Sequence, residues 1–206
     1  VIVVSSAMSG VTNQLLLKTK KISQNFPNEE KDVILSTGEQ ISCALIAGKL
    51  NLLGYKSRSW LGWQLPIITK GKHSSSRIIK IQKAKIIKYL KSGGIPIITG
   101  FQGINSDFRI TTLDRGGSDT SAILCAKFFN AKKCIIYTDV EGVYTTDPNL
   151  TKAAKKINKI SYEEMLEMAS LGAKVMQPAS IQEARLNRIE IDVKSTFSKR
   201  SGTTIT

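Results

Sequence analysis

Apolar residues along this chain recur at two spacings that alternate with each other. Short unbroken runs, Val1-Ile2-Val3-Val4, Ile95-Pro96-Ile97-Ile98 and Cys134-Ile135-Ile136, predict strands covered on both faces. Ile189-Glu190-Ile191-Asp192-Val193 predicts a last strand, and Gly202-Thr203-Thr204-Ile205 closes the chain. Between the runs lie helical patterns. One follows the small-residue turn 5–13, at Gln14-Leu15-Leu16-Leu17. A second opens over Val33 to Gln40, continues through Ala47 and is ended by Gly54. Residues 77–92 predict a basic amphipathic helix with the stripe Ile78, Ile79, Ile86, Ile87 and Leu90, stopped by Gly93-Gly94. Residues 121–129 predict another helix. Ser161-Tyr162-Glu163-Glu164 is a capping box that opens a helix over 165–170, and Gly172 breaks it before a further helix begins. Residues 25–30 read as a polar surface connection. Residues 60–68, with Trp63 and Pro66, have no clear period and suit a hairpin or a strand with a loop. Residues 101–107 read as a turn leading to a strand over 108–112. Strands alternating with helices, without repeat or linker, predict one layered α/β domain.

Composition changes this picture little. The 206 residues suffice for a sizeable core, and the 41% hydrophobic content is ordinary for a globular chain. A formal charge of +14 invites nucleic acid as a partner. The basic residues are mostly lysines, however, spread from Lys18 to Lys199 with little aromatic interleaving. That suits a solvated surface or an anionic small-molecule partner, so no nucleic-acid partner is expected. Cys43, Cys125 and Cys134 lie in apolar surroundings at no metal-like spacing, as buried thiols of a reducing, cytoplasmic compartment would. No apolar run is long enough for a bilayer span, and no membrane partner is expected.

The stretch with the most chemistry is Thr111-Thr112-Leu113-Asp114-Arg115-Gly116-Gly117-Ser118-Asp119-Thr120, between a strand and a helix. Two glycines let the backbone approach a ligand. Ser118 or Asp119 is placed to cap the helix, whose start attracts anions. Arg115 offers a planar fork for a carboxylate or phosphate. The same residues also make an ordinary glycine-rich turn. Glu39, in a first helical turn, is either dipole-favourable or functional. The polar loop 138–149 follows a strand end, where open α/β sheets bind ligands. His73, the single histidine, sits in a Lys/Ser-rich loop and is expected to be exposed and not catalytic.

An ordered set of stretches resembles the aspartokinases of the amino acid kinase superfamily. They are Val4-Ser5-Ser6-Ala7-Met8-Ser9-Gly10, Ser36-Thr37-Gly38-Glu39, Gly100-Phe101-Gln102-Gly103, Arg115 to Thr120, Tyr137-Thr138-Asp139-Val140, Gly142 to Pro148, and Glu163 to Val175. The resemblance covers nearly the whole chain. It implies a three-layer α/β/α sandwich with a mainly parallel central sheet, one domain over residues 1–206. It implies ATP with Mg2+ held mainly through the phosphates, and phosphoryl transfer to the side-chain carboxylate of L-aspartate, on the route to lysine, threonine and methionine. It gives Glu39 the substrate ammonium and Arg115 its carboxylate. Ser6, Thr12, Phe101, Gly116, Gly117 and Ser118 line the same pocket. Asp119 organises the catalytic charges. Thr138, Asp139, Tyr144, Thr145, Thr146, Asp147, Pro148 and Asn149 hold the nucleotide, with Lys174 and Val175, and Lys174 lies on the phosphate side. No metal site of the protein's own is implied, and a homodimer is the candidate assembly.

This chemistry agrees with the residue types. A carboxylate acceptor is already ionised near pH 7, so no general base is required. Alignment and neutralisation of phosphate charge then suffice. Two positions depart from the family: Asp114 stands where glycine is usual, and Asn149 where arginine is common. The family's Lys-Gly-Gly strand is expected before Val1 and its ACT domains after Thr206, so the chain is expected to be a fragment. Two other readings stay open. One is a relative that phosphorylates glutamate or a nucleoside monophosphate, and the other is a non-catalytic nucleotide- or nucleic-acid-binding remnant. Glu39 with Arg115 favours a zwitterionic acceptor, since a phosphate acceptor would be repelled by the glutamate.

Overall fold

The apolar runs become strands and the helical spacings become helices, in two compact units, Val1–Ala122 and Ile123–Thr206. The computed structural model describes residues 1–148, 150–173 and 175–206.

The first unit holds β1 (Val3–Ser5), α1 (Val11–Ile22), α2 (Asn28–Leu52), β2 (Ser57–Trp60), β3 (Ile67–Lys72), β4 (Ser75–Ile81), α3 (Ala84–Lys91), β5 (Ile95–Thr99), β6 (Gln102–Ile104), β7 (Ile110–Thr112) and the start of α4 (Gly117–Phe128). One sheet is all parallel, in the order β1-β5-β2, with Ile97 between Val3 and Ser59. The unbroken apolar run of the central strand β5 follows from burial on both faces, and Ile97 and Ile98 are fully buried. Cys43 and Ala47 of α2 pack on Ile97, with Val3, Leu50 and Ile95 around them. A second sheet runs β4-β3-β6-β7, where only β3 and β6 pair in parallel.

Four expectations change here. Residues 101–107 are not all turn, since β6 pairs there with β3 and β7. Residues 77–92 are not one helix: β4 runs to Ile81, and α3 starts at Ala84. Pairing with β3 buries Ser76, Ile78 and Ile81, and the β-branched isoleucines suit a strand. The helical remnant, α3, still buries Ile86, and Gly93 ends the turn at φ 77°. Residues 28–30 are not a connection but the first turn of α2, whose Glu29 and Glu30 favour its positive end. His73 is not exposed: it is half-buried, with Nδ1 2.8 Å from the carboxylate of Asp32.

The second unit holds the rest of α4, then β8 (Lys133–Thr138), β9 (Lys159–Ile160), α5 (Tyr162–Ser170), α6 (Pro178–Asn187), β10 (Glu190–Ser195) and β11 (Thr203–Ile205). Its sheet runs β8-β10-β11-β9, parallel except between β10 and β11. Met165, Ile181, Ile191, Val193 and Ile205 are among its fully buried side chains. The capping box is formed: Ser161 accepts from the Glu164 amide, and the Glu164 carboxylate accepts from the Ser161 amide. α6 starts at Pro178, later than the sequence suggests, because proline at the first helical position fixes φ there. Across both units the architecture is α/β with mainly parallel pairing. All three cysteines are buried thiols outside any disulfide. Among the described residues no helix is long and apolar enough to cross a membrane.

Candidate active site

In the first unit, the ends of β1, β5 and β7 and the starts of α1 and α4 surround a cavity of about 480 Å3. Every residue assigned to the acceptor side lines it. Ser6 follows β1, and Thr12 lies in the first turn of α1. Glu39 comes from α2, and Phe101 from the turn after β5. Arg115 and Gly116 come from the loop that enters α4, and Gly117, Ser118 and Asp119 from its first turn.

Glycines make that loop possible. Gly116 has φ 77°, a left-handed conformation that suits glycine. A Cβ on Gly117 would meet Leu113 and Phe101 side-chain atoms at 2.8 Å, and one on Gly100 would lie 2.9 Å from Ser118 Oγ. Phe101, itself at φ 65°, donates its amide to Ser121 Oγ at 3.0 Å, and that hydroxyl donates to the Gly117 carbonyl at 2.7 Å. The turn after β5 is thus tied to the first turn of α4. The helix starts at Gly117, so Ser118 and Asp119 sit inside its first turn and are not its cap. Asp114 accepts from the backbone amide of Arg115 at 2.7 Å.

Two carboxyls in the cavity carry unusual electrostatics. Glu39 is 3% exposed. Its Oε1 accepts from the Ala7 amide at 3.1 Å, while Oε2 is buried without a hydrogen-bond partner among the described residues. Burial pushes this carboxyl up to about 7, against the opposing pull of the Ala7 amide. Burial also pushes Asp119 up to about 6. Glu39 is buried and Asp119 half-buried, which makes a bare charge costly at both, so a cation reaching either would be held more strongly than at an exposed carboxylate.

The residues assigned to the nucleotide follow β8 in the second unit. Thr138 ends that strand and donates to Asp139 at 3.1 Å. Gly142, at φ 143°, passes so close to β11 that a Cβ would lie 2.6 Å from Thr203 Oγ1, which also accepts from the Val143 amide at 2.8 Å. Tyr144 donates to Glu141 at 3.4 Å. Thr145 exchanges hydrogen bonds with Lys155, at 2.9 and 3.1 Å. Thr146, Asp147 and Pro148 are exposed, and Val175 is half-buried. Asn149 and Lys174 lie outside the described residues.

Residues 1–195 match the amino acid kinase family. The chain belongs to that family. It is 46% identical over 205 residues to the aspartokinase of Geobacillus stearothermophilus, covering 100% of this chain and 50% of that protein. It thus spans about half the length of the curated relatives it matches. The aspartate kinase from Synechocystis superposes with a TM-score of 0.85 at 41% identity, over 100% of this chain and 34% of that one. E. coli aspartokinase III, solved in complex with aspartate and ADP, gives 0.82 at 29% identity, over 95% and 44%.

In this amino acid kinase, the cavity also contains residues that sequence reasoning missed: Lys31, Ser74 and Thr112. Lys31 has a faint signal, since it stands eight residues before Glu39 on one helix and so near the same face. Thr112 lies in the quoted central stretch but carried no assigned role. Ser74 belongs to the connection between β3 and β4, within what the sequence presents as a Lys/Ser-rich loop, and nothing local marks it.

Proposed function

We propose that this chain transfers the γ-phosphoryl group of ATP to the side-chain carboxylate of L-aspartate. A carboxylate oxygen attacks the γ-phosphorus, the bond to the β–γ bridging oxygen breaks, and ADP leaves as aspartyl phosphate forms. The observation that carries this reading is the bare, buried Oε2 of Glu39 in a cavity that Arg115 also lines. A buried acceptor without a donor is costly, and a substrate ammonium removes the cost. Arg115 offers the α-carboxylate two parallel N–H donors. One cavity bearing both signs suits a zwitterionic amino acid. The names of the similar proteins, and the aspartate and ADP bound by the E. coli enzyme, agree.

In this reading ATP is held by the second unit through Thr138, Asp139 and residues 144–149, with Lys174 and Val175. Among the described residues no cluster of three or more His, Cys, Asp or Glu is arranged to hold a metal ion. We take the magnesium ion to arrive on the nucleotide phosphates, and the half-buried Asp119 carboxyl is an oxygen donor of the hard kind such an ion accepts. When bound, the ion would neutralise phosphate charge. The protein's own task is to hold and align the acceptor. Its product would feed lysine, threonine and methionine synthesis, and its buried, reduced thiols fit the cytoplasm.

Calorimetric titration tests the acceptor assignment. L-Aspartate is expected to bind the wild type, while Glu39→Gln binds it much more weakly and L-glutamate and uridine monophosphate bind neither. Equal binding of aspartate by wild type and Glu39→Gln would refute the pairing of Glu39 with the ammonium.

A further inference from the structure

Asp32 is fully buried in the second turn of α2, yet it lines no part of the cavity. Five donors converge on its carboxylate. Oδ1 accepts from Ser74 Oγ at 2.9 Å and from Thr112 Oγ1 at 2.6 Å. Oδ2 accepts from the Ser74 amide at 2.9 Å and the Thr112 amide at 3.0 Å. His73 Nδ1 lies 2.8 Å from the same oxygen, which assigns the donated proton to that nitrogen.

These donors come from two separate places. His73 and Ser74 are the two-residue connection between β3 and β4, and Ser74 holds φ 64°, an uncommon conformation for serine. Thr112 ends β7, immediately before the loop that carries Arg115. Ser74 and Thr112 both line the acceptor cavity. Glu39 stands seven residues after Asp32 on the same helix, almost directly in line with it along one face. A second tie has the same sense: Gln102 of β6 donates to the Ser36 carbonyl at 3.0 Å and accepts from Gln40 at 3.1 Å. Apolar packing would hold a hairpin against a helix at less desolvation cost than a buried carboxylate. What a carboxylate adds is direction, since each donor must sit at one place.

We propose that Asp32 is a positioning residue for the acceptor pocket. It fixes Ser74 and Thr112 in the pocket wall and sets the register of α2 that presents Glu39. This deepens the proposed function and rests on the pocket being the acceptor site. His73 is the outer support of the clamp: it orients Asp32 and touches no substrate.

The test compares Asp32→Asn, Ser74→Ala, His73→Ala and His73→Asn with the wild type, in steady-state kinetics and in amide exchange. Losing one or two bonds to a buried charge should raise the aspartate KM by roughly tenfold in Asp32→Asn and in His73→Ala, with the ATP KM unchanged. His73→Asn should recover most of the loss, because its amide N–H can take the place of Nδ1–H. A fall in melting temperature with both KM values unchanged, or a parallel rise in both, would overturn the proposal. If the wild type proves not to use aspartate, the functional reading fails separately. Exchange of the Ala7 amide, which is bonded to Glu39, then decides the clamp: faster exchange in Asp32→Asn supports it, and an unchanged rate overturns it.

Discussion

The Ala7 amide holds one oxygen of Glu39 at 3.1 Å, and the other is buried and bare among the described residues. Near neutral pH this carboxyl is poised between its two forms, because burial pushes it up to about 7. Aspartate binding draws on the charged form. Affinity should therefore fall as pH drops below about 7, approaching about tenfold per unit. Titrations at several pH values check this, with Glu39→Gln expected to be weak and nearly flat. A flat wild-type profile would mean that the ammonium lies elsewhere.

The same group affects stability in the empty protein. Its folded pKa lies above the unfolded value, so the folded state holds the extra proton between about 4.5 and about 7. Stability from this group is present at the acid end and is lost as pH rises through that window. Glu39→Gln keeps an acceptor for Ala7 and carries no charge. At pH 8 it should be more stable than the wild type, by on the order of 1–3 kcal/mol, and the gap should close toward pH 5. Melting temperatures across this range provide the check. An advantage that is absent at pH 8 would show that Glu39 is satisfied in the folded chain.

Arg115→Lys should weaken aspartate use strongly and leave ATP binding nearly intact. Lysine keeps the charge and loses the two-pronged fork. Separate KM determinations decide, and an equal loss for ATP would remove Arg115 from the acceptor side.

Gly100→Ala probes the close approach behind the cavity. The new Cβ would sit 2.9 Å from Ser118 Oγ and 3.0 Å from Ser118 Cα, so α4 must shift at its first turn. A loss of about 1–3 kcal/mol is expected in urea unfolding, together with weaker aspartate binding. Wild-type stability would mean that this turn yields easily.

How much of this was legible in the sequence depended on how local each signal is. The turn into α4 was readable because Gly116 and Gly117 declare a backbone need, and Arg115 a chemistry, within a few positions. Glu39 was readable only through the resemblance, since its burial arises from Ala7 and the walls of the cavity. Asp32 was invisible. It follows Glu29, Glu30 and Lys31 and looks like one more charge on a helix start, while its donors lie 41, 42 and 80 residues away. His73 was misplaced for the same reason. The misread helix over residues 77–92 shows the rule in another form. Isoleucine spacing there suits a helix, but pairing with β3, a contact outside any local window, decides the structure.

The most direct measurement of the central claim is acceptor-dependent ADP formation, with hydroxylamine present to trap the acyl phosphate as a hydroxamate. With ATP, magnesium and L-aspartate, ADP and aspartyl hydroxamate should appear in equal amounts, and L-glutamate or uridine monophosphate should give neither. ADP formed with one of those two and not with aspartate would contradict the account. So would ATP binding with no transfer to any of them.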